Sequence, residues 1–332
     1  MTIKIITTLG PVTETKEALL SLAKAGANIF RFNFTHGTYE WYDALFTRAK
    51  EVNNELGGSL LFMLDTKGPE VRTGIIKKEI IIKEGETYSL GGEDTDIPCD
   101  YSRLAEKSAV GQLIHIDGGK IQLDVVRVEG EKVFALAENN GVITPKRHLN
   151  LPGVHLELPI LSEIDKKDVA FGIEHGIHKI AASFVSSAKD IADIRQFVAT
   201  QTDRKIEIIA KIESVTGIVN IDEIIEACDG IMIARGDLAV ETSFEKLPVY
   251  QHMIVKRCLA AKKPFIVATQ LLASMVTNTT PTRAEASDVG NSVYAGADAI
   301  MLSEETSVGE HPFLCVETMR NIANAVEEDM SK

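Results

Sequence analysis

The sequence predicts a closed (β/α)8 barrel with a small all-β domain inserted after the third strand. Short apolar runs alternate with longer helical patterns eight times along the 332 residues, and this alternation is typical of a parallel sheet. Between about Glu70 and Pro152 the helical patterns disappear, and alternating β-type segments with glycine-rich turns replace them. Eight strand–helix units fit a closed barrel better than an open doubly wound sheet.

Each predicted strand of the barrel is followed by a predicted helix. The strands are Ile3–Leu9, Asn28–Phe34, Ser59–Leu64, His178–Phe184, Ile206–Ile212, Gly230–Ala234, Pro264–Ala268 and Ala299–Leu302. The helices are Thr15–Ala25, Tyr39–Leu56, Ser162–His175, Ala188–Ala199, Ile221–Cys228, Pro248–Lys262, Arg283–Ala295 and His311–Glu327. Ser162 is the expected N-cap of its helix, with Asp165 three residues on.

The β-rich stretch divides the chain into two expected domains. Residues 1–69 and 153–332 form the barrel, and residues 70–152 form the inserted β domain. Its joints are Gly68-Pro69 and Leu151-Pro152-Gly153, beside the charged end of the third strand. This placement favours a mobile lid over a cleft at least as much as an extra domain that takes no part in the site.

Composition and charge exclude several classes of protein. With 35 Lys and Arg against 48 Asp and Glu, the net charge is −13, which argues against non-specific binding to nucleic acid or to anionic membranes. The four cysteines are scattered, without the spacing of a disulfide framework or a zinc site. No apolar run approaches the ~20 residues of a membrane span. We therefore expect a cytoplasmic protein.

Polar residues follow six of the eight predicted strands, at the end where barrels of this kind carry their chemistry. They are Arg31, Asn33, Thr35 and His36; Asp65, Thr66 and Lys67; Lys211 and Glu213; Arg235, Gly236 and Asp237; Thr269 and Gln270; and Ser303, Glu304 and Glu305. A single polar end is usually a solvated loop. Six polar strand ends indicate a polar cleft that the strands share, here called the mouth of the barrel.

The residue types at this mouth suit a metal and an anionic substrate. Lys211 and Glu213 are two apart on a strand and should project together. Glu213 and Asp237, without clustered His or Cys, suit Mg²⁺ or Mn²⁺ that shares its coordination with substrate oxygens and water. The alternative is that Lys211 and Glu213 form a structural ion pair. Convergence of Asp237 and Thr269 on the same end argues against it.

Cationic side chains near the mouth can neutralise a phosphoryl group. Arg31 and Arg72 can do so in bidentate fashion and Lys211 as a point charge. A metal and cations aimed at a transferring phosphoryl group are the electrostatic pattern of phosphoryl transfer. The chain has neither a Walker-type phosphate loop nor a glycine-rich dinucleotide fingerprint.

These motifs resemble those of the pyruvate kinase family, in the family's order and across essentially the whole chain. The matching stretches are FRFNFTHG (30–37), LDTKGPEVRTG (64–74), LNLPG (149–153), LPILSEIDKKD (158–168), AASFV (181–185), AKIES (210–214), VNIDEI (219–224), DGIMIARGDLAVE (229–241), ATQLLASM (268–275), PTRAEASDV (281–289) and GADAIMLSEET (296–306).

The resemblance implies a TIM-barrel A domain and a β-barrel B domain that acts as a lid. It implies transfer of a phosphoryl group from phosphoenolpyruvate to ADP, giving pyruvate and ATP, with Mg²⁺ (or Mn²⁺) and K⁺. Two other functions stay open: a non-catalytic paralogue that binds phosphoenolpyruvate or nucleotide, and a metal-dependent pyruvate aldolase or lyase. The lid and the TKGPEVRTG segment argue against the aldolase, which needs no ADP site. Association of copies through barrel surfaces is also left open.

The resemblance assigns roles residue by residue. It implies that Lys211 stabilises charge on the phosphoryl and enolate oxygens, and that Glu213 and Asp237 bind the divalent metal. It implies that the Gly236–Asp237 backbone and Thr269 hold the substrate carboxylate. Thr269 would also lie near the route by which the enolate carbon is protonated.

Further implied roles concern the phosphoryl group, the monovalent cation and the nucleotide. Arg31 would contact the phosphoryl group, joined by Arg72 at the edge of the lid. The implied K⁺ site is Asn33, Thr35, Asp65 and the Thr66 carbonyl, and the implied nucleotide site is Pro11, Asn33, His36 and Arg72. In the family, a Glu at the position of Glu70 goes with K⁺ dependence, so the resemblance implies a K⁺-activated enzyme.

The chain also departs from the family pattern. Thr35 stands for Ser, Ala239 and Ala273 replace Gly and Glu, and Glu304 replaces Gly and adds a carboxylate near the mouth. Asp117-Gly118-Gly119-Lys120 replaces the usual Asp-Asp-Gly-Leu of the lid. Because the sequence stops soon after the eighth helix, we expect no C-terminal domain and no activation by sugar phosphates through it.

Overall fold

Strands and helices alternate along most of the chain. The structure is a computed structural model that describes residues 2–35, 37–76 and 78–332. Its strands are β1 (Lys4–Thr8), β2 (Ile29–Asn33), β3 (Leu61–Asp65), β4 (Val71–Arg72), β5 (Ile80–Ile82), β6 (Thr87–Gly91), β7 (Ile97–Pro98), β8 (Leu113–Ile116), β9 (Ile121–Glu129), β10 (Lys132–Ala137), β11 (Gly141–Ile143), β12 (His148–Asn150), β13 (Lys179–Ala182), β14 (Glu207–Ile212), β15 (Gly230–Ala234), β16 (Phe265–Ala268) and β17 (Ala299–Leu302).

Helices cover the barrel strands, and several short ones sit at strand ends. They are α1 (Lys16–Ala25), α2 (Tyr39–Glu55), α3 (Leu104–Lys107), α4 (Glu163–Glu174), α5 (Ala188–Gln201), α6 (Val215–Val219), α7 (Ile221–Ala227), α8 (Arg235–Glu241), α9 (Leu247–Ala261), α10 (Arg283–Tyr294), α11 (Glu304–Ser307) and α12 (Pro312–Met330). The predicted N-cap of α4 is confirmed, and Ser162 and Asp165 exchange side-chain and backbone hydrogen bonds to form a capping box.

The predicted eight-stranded parallel barrel is confirmed. It closes in the order β1-β17-β16-β15-β14-β13-β3-β2. Apolar side chains of the strands fill its interior, and a larger cluster packs between the strands and the surrounding helices. The interior set is Ile6, Ile29, Met63, Ala181, Ile209, Met232, Ile266, Ala268, Ala299 and Met301. The barrel is therefore a packed core whose polar groups collect at one end.

Short helices that the sequence analysis did not separate follow three of the barrel strands. After β14 the chain forms α6 and then α7, where a single helix from Ile221 was expected. After β15 it forms α8 before the long helix α9, and after β17 it forms α11 before α12. These short helices lie at the carboxyl ends of the strands, where the polar residues are.

The inserted segment builds its own sheet and its own core. Seven strands pair in the order β4-β12-β8-β9-β10-β6-β7, and β11 pairs with β5. The edge strands meet through a bridge between Thr73 and Cys99, and Gly74 N donates to Pro98 O at 2.7 Å, so the sheet curls towards closure. One helical turn, α3, interrupts a segment that was expected to be entirely β. A separate apolar cluster fills the sheet.

The first joint of the insertion is held against the barrel. Asp165 at the start of α4 accepts hydrogen bonds from Lys67 N at 2.9 Å and Gly68 N at 3.3 Å. Gly68 has a φ of +76°, and a Cβ there would lie 2.8 Å from the side chain of Ser183. Only glycine fits this turn without displacement.

The four cysteines are all free thiols. Across residues 2–35, 37–76 and 78–332, no helix has both the length and the apolar character that crossing a bilayer requires.

Candidate active site

Four ionisable side chains from three strands meet at the mouth of the barrel. Arg31 Nε lies 2.6 Å from Asp65 Oδ2, and Lys211 Nζ lies 3.0 Å from Asp65 Oδ1. Lys211 Nζ is also 3.1 Å from Glu213 Oε1, so these two residues project together, as their spacing predicts. Arg31 additionally donates to Thr8 Oγ1 at 2.8 Å. Two cations and two carboxylates thus form one buried cluster.

Ser183 at the end of β13 completes this cluster, and the sequence analysis did not single it out. Lys211 Nζ donates to Ser183 Oγ at 2.6 Å, and that hydroxyl donates to Thr66 O at 2.7 Å. Ser183 N donates to Thr66 Oγ1 at 3.1 Å. The signal was the serine in AASFV, a hydroxyl placed directly after a buried strand. Ser183 aims the ammonium of Lys211.

Burial and neighbouring charges shift the pKa values of Lys211 and Asp65 in opposite directions. Burial lowers the pKa of Lys211, but Asp65 and Glu213 raise it by more, so the ammonium is held charged. Burial raises the pKa of Asp65, but Arg31 and Lys211 lower it by more, so the carboxylate is held ionised. Asp65 is only 1% exposed. Its charge depends on those two cations.

The negative charge of the Glu213 carboxylate is less well compensated by nearby cations. Burial raises its pKa, Lys211 opposes the rise, and the charges of Asp237 and Asp65 add to it. Its Oε2 accepts a hydrogen bond from Phe184 N at 2.7 Å, where the backbone of Phe184 has a φ of +55°. A bulky residue adopts that conformation at a cost, which is typical of functional sites.

The donor set of Glu213 and Asp237 fits a hard divalent cation. Burial is the main cause of the raised pKa of Glu213, and the charge of Asp237 adds to it. A cation between the two carboxylates removes their repulsion. Within the described ranges no group of three or more His, Cys, Asp or Glu could hold a metal ion. A metal held by two protein carboxylates keeps other positions for substrate and water, which Mg²⁺ prefers.

The ends of β15 and β16 are joined by a hydrogen bond to a side chain. Gly236 N donates to Thr269 Oγ1 at 2.8 Å. Thr269 and the next residue, Gln270, have φ values of +70° and +55°, so the chain turns sharply here in a conformation that L-residues seldom adopt. The side chain of Asp237 is 43% exposed at the open side of the mouth.

Arg235 does not face the mouth beside Asp237, contrary to the strand-based expectation. Its guanidinium lies 2.6 Å from Asp288 Oδ2 and donates to Thr269 O at 2.6 Å. The reason is that α8 starts immediately after Ala234, so the two-residue alternation of a strand stops there. Arg235 instead links β15, β16 and α10.

The structure places Arg72 in the insertion, away from the Asp65 cluster. Its guanidinium donates to Glu70 Oε2 at 2.9 Å and 2.5 Å and to Lys146 O at 2.9 Å. Arg72 N donates to Asp100 Oδ1. In this arrangement Arg72 and Glu70 form one unit at the edge of the insertion.

The four residues of the implied K⁺ site come from two neighbouring strand ends. Asn33 and Asp65 are register partners on β2 and β3. Thr35 Oγ1 donates to Asn33 Oδ1 at 3.0 Å, and the Thr66 carbonyl follows Asp65 directly. All of them offer oxygen, the donor that hard cations take.

An apolar cleft of about 450 Å³ opens beside this end of the barrel. It is lined by Thr8, Leu9, Gly10, Pro11, Asn33, Gly37, Trp41, Tyr42, Ser307 and Val308. Pro11 and Asn33 belong to the implied nucleotide site, Arg72 does not line the cleft, and His36 lies outside the described residues. Trp41, which the sequence analysis did not identify, gives the cleft a flat aromatic wall suited to a planar ring.

The glutamates after β17 have separate positions. Glu304 is exposed, whereas Glu305 is buried and accepts hydrogen bonds from Leu272 N at 3.2 Å and Ser303 N at 2.7 Å. Glu305 therefore joins the ends of β16 and β17, while Glu304 faces solvent.

Comparisons with known proteins agree on one family. Residues 1–316 match the family model described as pyruvate kinase, barrel domain. A pyruvate kinase of Geobacillus stearothermophilus is 42% identical over 98% of the chain, and one of Dictyostelium discoideum is 41% identical over 98%. The chain covers 57% and 66% of these two relatives. A crystal structure of a Cryptosporidium parvum pyruvate kinase superposes with a TM-score of 0.94 at 35% identity, covering 98% of this chain and 69% of that one.

Proposed function

Because the chain belongs to the pyruvate kinase family, we propose that it transfers the phosphoryl group of phosphoenolpyruvate to ADP, giving pyruvate and ATP. The chain spans a little over half the length of its Geobacillus relative, so the proposal rests on the site of this chain. The observation that carries it is the buried ammonium of Lys211, held by Asp65, Glu213 and Ser183 at the open end of the barrel.

Lys211 and Arg31 are the catalytic cations of the proposal. As the bond from phosphorus to the enol oxygen breaks, negative charge grows on that oxygen and on the transferring group. An oxygen of the ADP β-phosphate forms the new bond to phosphorus. Preorganised cations stabilise this charge without reorganising during the reaction, and the ion pairs with Asp65 keep both cations in place.

The substrate carboxylate is proposed to lie against the Gly236–Asp237 backbone and Thr269. The hydrogen bond from Gly236 N to Thr269 Oγ1 brings these groups together. The enolate left after transfer takes a proton on its carbon, and the Thr269 hydroxyl is placed to orient the water that supplies it. Phosphoenolpyruvate thus leaves as pyruvate.

Glu213 and Asp237 would hold Mg²⁺ or Mn²⁺, and Asn33, Thr35, Asp65 and the Thr66 carbonyl would hold K⁺. A bound divalent ion supplies electrostatic neutralisation of the phosphoryl and carboxylate oxygens. The chain's own contribution is to present oxygen donors from adjacent strand ends at the mouth of the barrel.

The nucleotide is proposed to use the cleft beside Pro11 and Asn33, with Trp41 against the base. Residues 70–152 act as the lid over the barrel formed by residues 1–69 and 153–332. Arg72 and His36 would meet the phosphates when the lid moves. We place the protein in the cytoplasm, where its substrates are made.

A coupled assay tests the proposal. Purified protein is mixed with phosphoenolpyruvate, ADP, Mg²⁺ and K⁺, and pyruvate is followed through NADH oxidation by lactate dehydrogenase. We expect ADP-dependent pyruvate formation that falls at least tenfold when Na⁺ replaces K⁺. Folded protein that forms no pyruvate with any nucleoside diphosphate contradicts the proposal and supports the binding paralogue. Full activity in Na⁺ alone contradicts the K⁺ site.

A further inference from the structure

Two side chains of the insertion make hydrogen bonds to the end of helix α8. Asn150 Nδ2 donates to Glu241 Oε1 at 2.7 Å. The His115 ring places Nδ1 2.9 Å from Val240 O, and because a carbonyl oxygen only accepts, Nδ1 carries the proton. His115 and Asn150 are register partners on β8 and β12, so both bonds leave from one place on the sheet.

A third residue of the insertion lies near Asp237, the candidate metal ligand on α8. His148 Nδ1 is 4.0 Å from Asp237 Oδ1. His148 and Asn150 are two apart on β12 and therefore share a face of the sheet. The α8 residues that are touched, Asp237, Val240 and Glu241, are spaced i, i+3 and i+4 and so share one face of the helix.

Glu241 also lies beside the second joint of the insertion. Besides accepting a hydrogen bond from the Asn150 amide, its carboxylate lies near the backbone N–H of Gly153, which lowers the pKa of Glu241. Glu241 is 8% exposed and Asn150 is 3% exposed, and Asn150 Oδ1 has no hydrogen-bond partner among the described residues. The bond to Glu241 is thus what orients this buried amide.

The other end of α8 is attached to the barrel. Gly236 N bonds to Thr269, and Arg235 pairs with Asp288. The helix has seven residues, or about 10 Å at 1.5 Å per residue. Asp237 therefore lies between an end held by the barrel and an end held by the insertion.

We propose that the contacts of His115, His148 and Asn150 with α8, here called the α8 seam, position Asp237, so that docking of the insertion and assembly of the divalent-metal site are a single event. Glu241 and Asn150 are positioning residues that act through the helix. The kinetic consequence rests on the proposed function, whereas the effect on metal binding does not.

Removing the Glu241 carboxylate leaves the buried Asn150 amide without its acceptor, and this loosens the seam. In Glu241→Ala we expect the dissociation constant for Mn²⁺ alone, measured from the free-ion electron paramagnetic resonance signal, to rise about tenfold, the equivalent of one buried hydrogen bond. The KM for phosphoenolpyruvate should rise by a similar factor. The kcat at saturating metal should change by less than about threefold, because Lys211 is untouched.

The conservative variant and a matched control separate positioning from general damage. Glu241→Gln keeps an oxygen for the Asn150 amide, and we expect it to restore most of the Mn²⁺ affinity. Ser89→Ala removes a hydrogen bond of 2.7 Å, to Asp96, inside the insertion and away from α8; its Mn²⁺ affinity should equal that of the unaltered protein.

Hydrogen exchange supplies a readout that needs neither turnover nor metal. Amides of 235–241 should exchange faster in Glu241→Ala and in Asn150→Leu, which breaks the seam from the other side. Folded variants with unchanged exchange in α8, or with unchanged Mn²⁺ affinity, overturn the proposal. If the unaltered protein forms no pyruvate but these differences appear, the proposed function fails and the seam stands.

Discussion

The ammonium of Lys211 and the carboxylate of Asp65 lie 3.0 Å apart across the mouth of the barrel. Their strands, β14 and β3, are not neighbours, because β13 runs between them. Ser183 at the end of β13 occupies the gap and accepts a hydrogen bond from Lys211. Three adjacent strand ends therefore fix one cationic group.

Replacing this lysine tests its role in the reaction. In Lys211→Ala we expect kcat to fall by about 10³-fold, the scale for loss of a preorganised charge. Phosphoenolpyruvate should still bind, because Arg31 and the Gly236–Thr269 pair remain; binding is measured by calorimetry. The control is Lys179→Ala, an ion-paired lysine at the start of β13, the opposite end of the barrel. Its kcat should stay near normal, and an unchanged kcat in Lys211→Ala would refute the role.

Trp41 is the single tryptophan of the chain, and it lines the cleft proposed for the nucleotide. We expect ADP with Mg²⁺ to change its fluorescence, because a base stacked on the indole alters its surroundings. Trp41→Phe should remove the signal. Emission that stays constant at ADP concentrations saturating for turnover would place the nucleotide elsewhere.

Asp165 holds the first joint of the insertion. It is fully buried and accepts hydrogen bonds from the backbone of Lys67, Gly68 and Ser162. Asp165→Ala should cost about 3 kcal/mol of unfolding free energy, because several buried donors lose their acceptor. It should also speed proteolysis at residues 67–70.

A matched variant shows whether the effect at the joint is specific. Glu285 closes a similar capping box at α10, far from the insertion. Glu285→Ala should lower the unfolding free energy, measured in urea, while proteolysis at residues 67–70 stays slow. Equal rates of proteolysis at residues 67–70 in the two variants would show that the hydrogen bonds of Asp165 do not stabilise the joint specifically.

We expect Glu241 to make the unfolding free energy depend on pH. Burial is the main cause that raises its pKa from 4.5 to about 7, against the opposing Asn150 hydrogen bond. A carboxyl with a folded pKa above its unfolded pKa stabilises the fold below pH 4.5. That contribution is lost as pH rises through 7.

The loss amounts to about 3 kcal/mol at most. In metal-free buffer, Glu241→Gln should therefore be more stable than the unaltered protein at pH 8.5 and nearly equal to it at pH 5. Urea denaturation at the two pH values measures the difference. Parallel pH dependence of both proteins would contradict the assignment.

The barrel could be predicted because its strands are short, continuous apolar runs separated by helical patterns, as in Ile231–Ile233. The proximity of Lys211 and Glu213 followed from strand alternation. Arg235 shows the limit of that rule, since a helix starts at this residue and turns it towards Asp288.

Other features depend on contacts between distant segments. Ser183 looked like an ordinary residue after a strand, and its importance appears only when β3 and β14 flank it. The contacts of His115 and Asn150 with α8 depend on how the inserted sheet is oriented, which no local pattern encodes. Propensity and periodicity describe segments, not their docking.

The separate apolar cores of the barrel and the insertion have a thermodynamic consequence. The two clusters share no side chain, and the hydrogen bonds from the insertion to α8 are polar contacts. A segment of this size with its own small core has limited stability. Heating should therefore melt the molecule in two calorimetric transitions, the insertion first, so that no single melting temperature describes the chain.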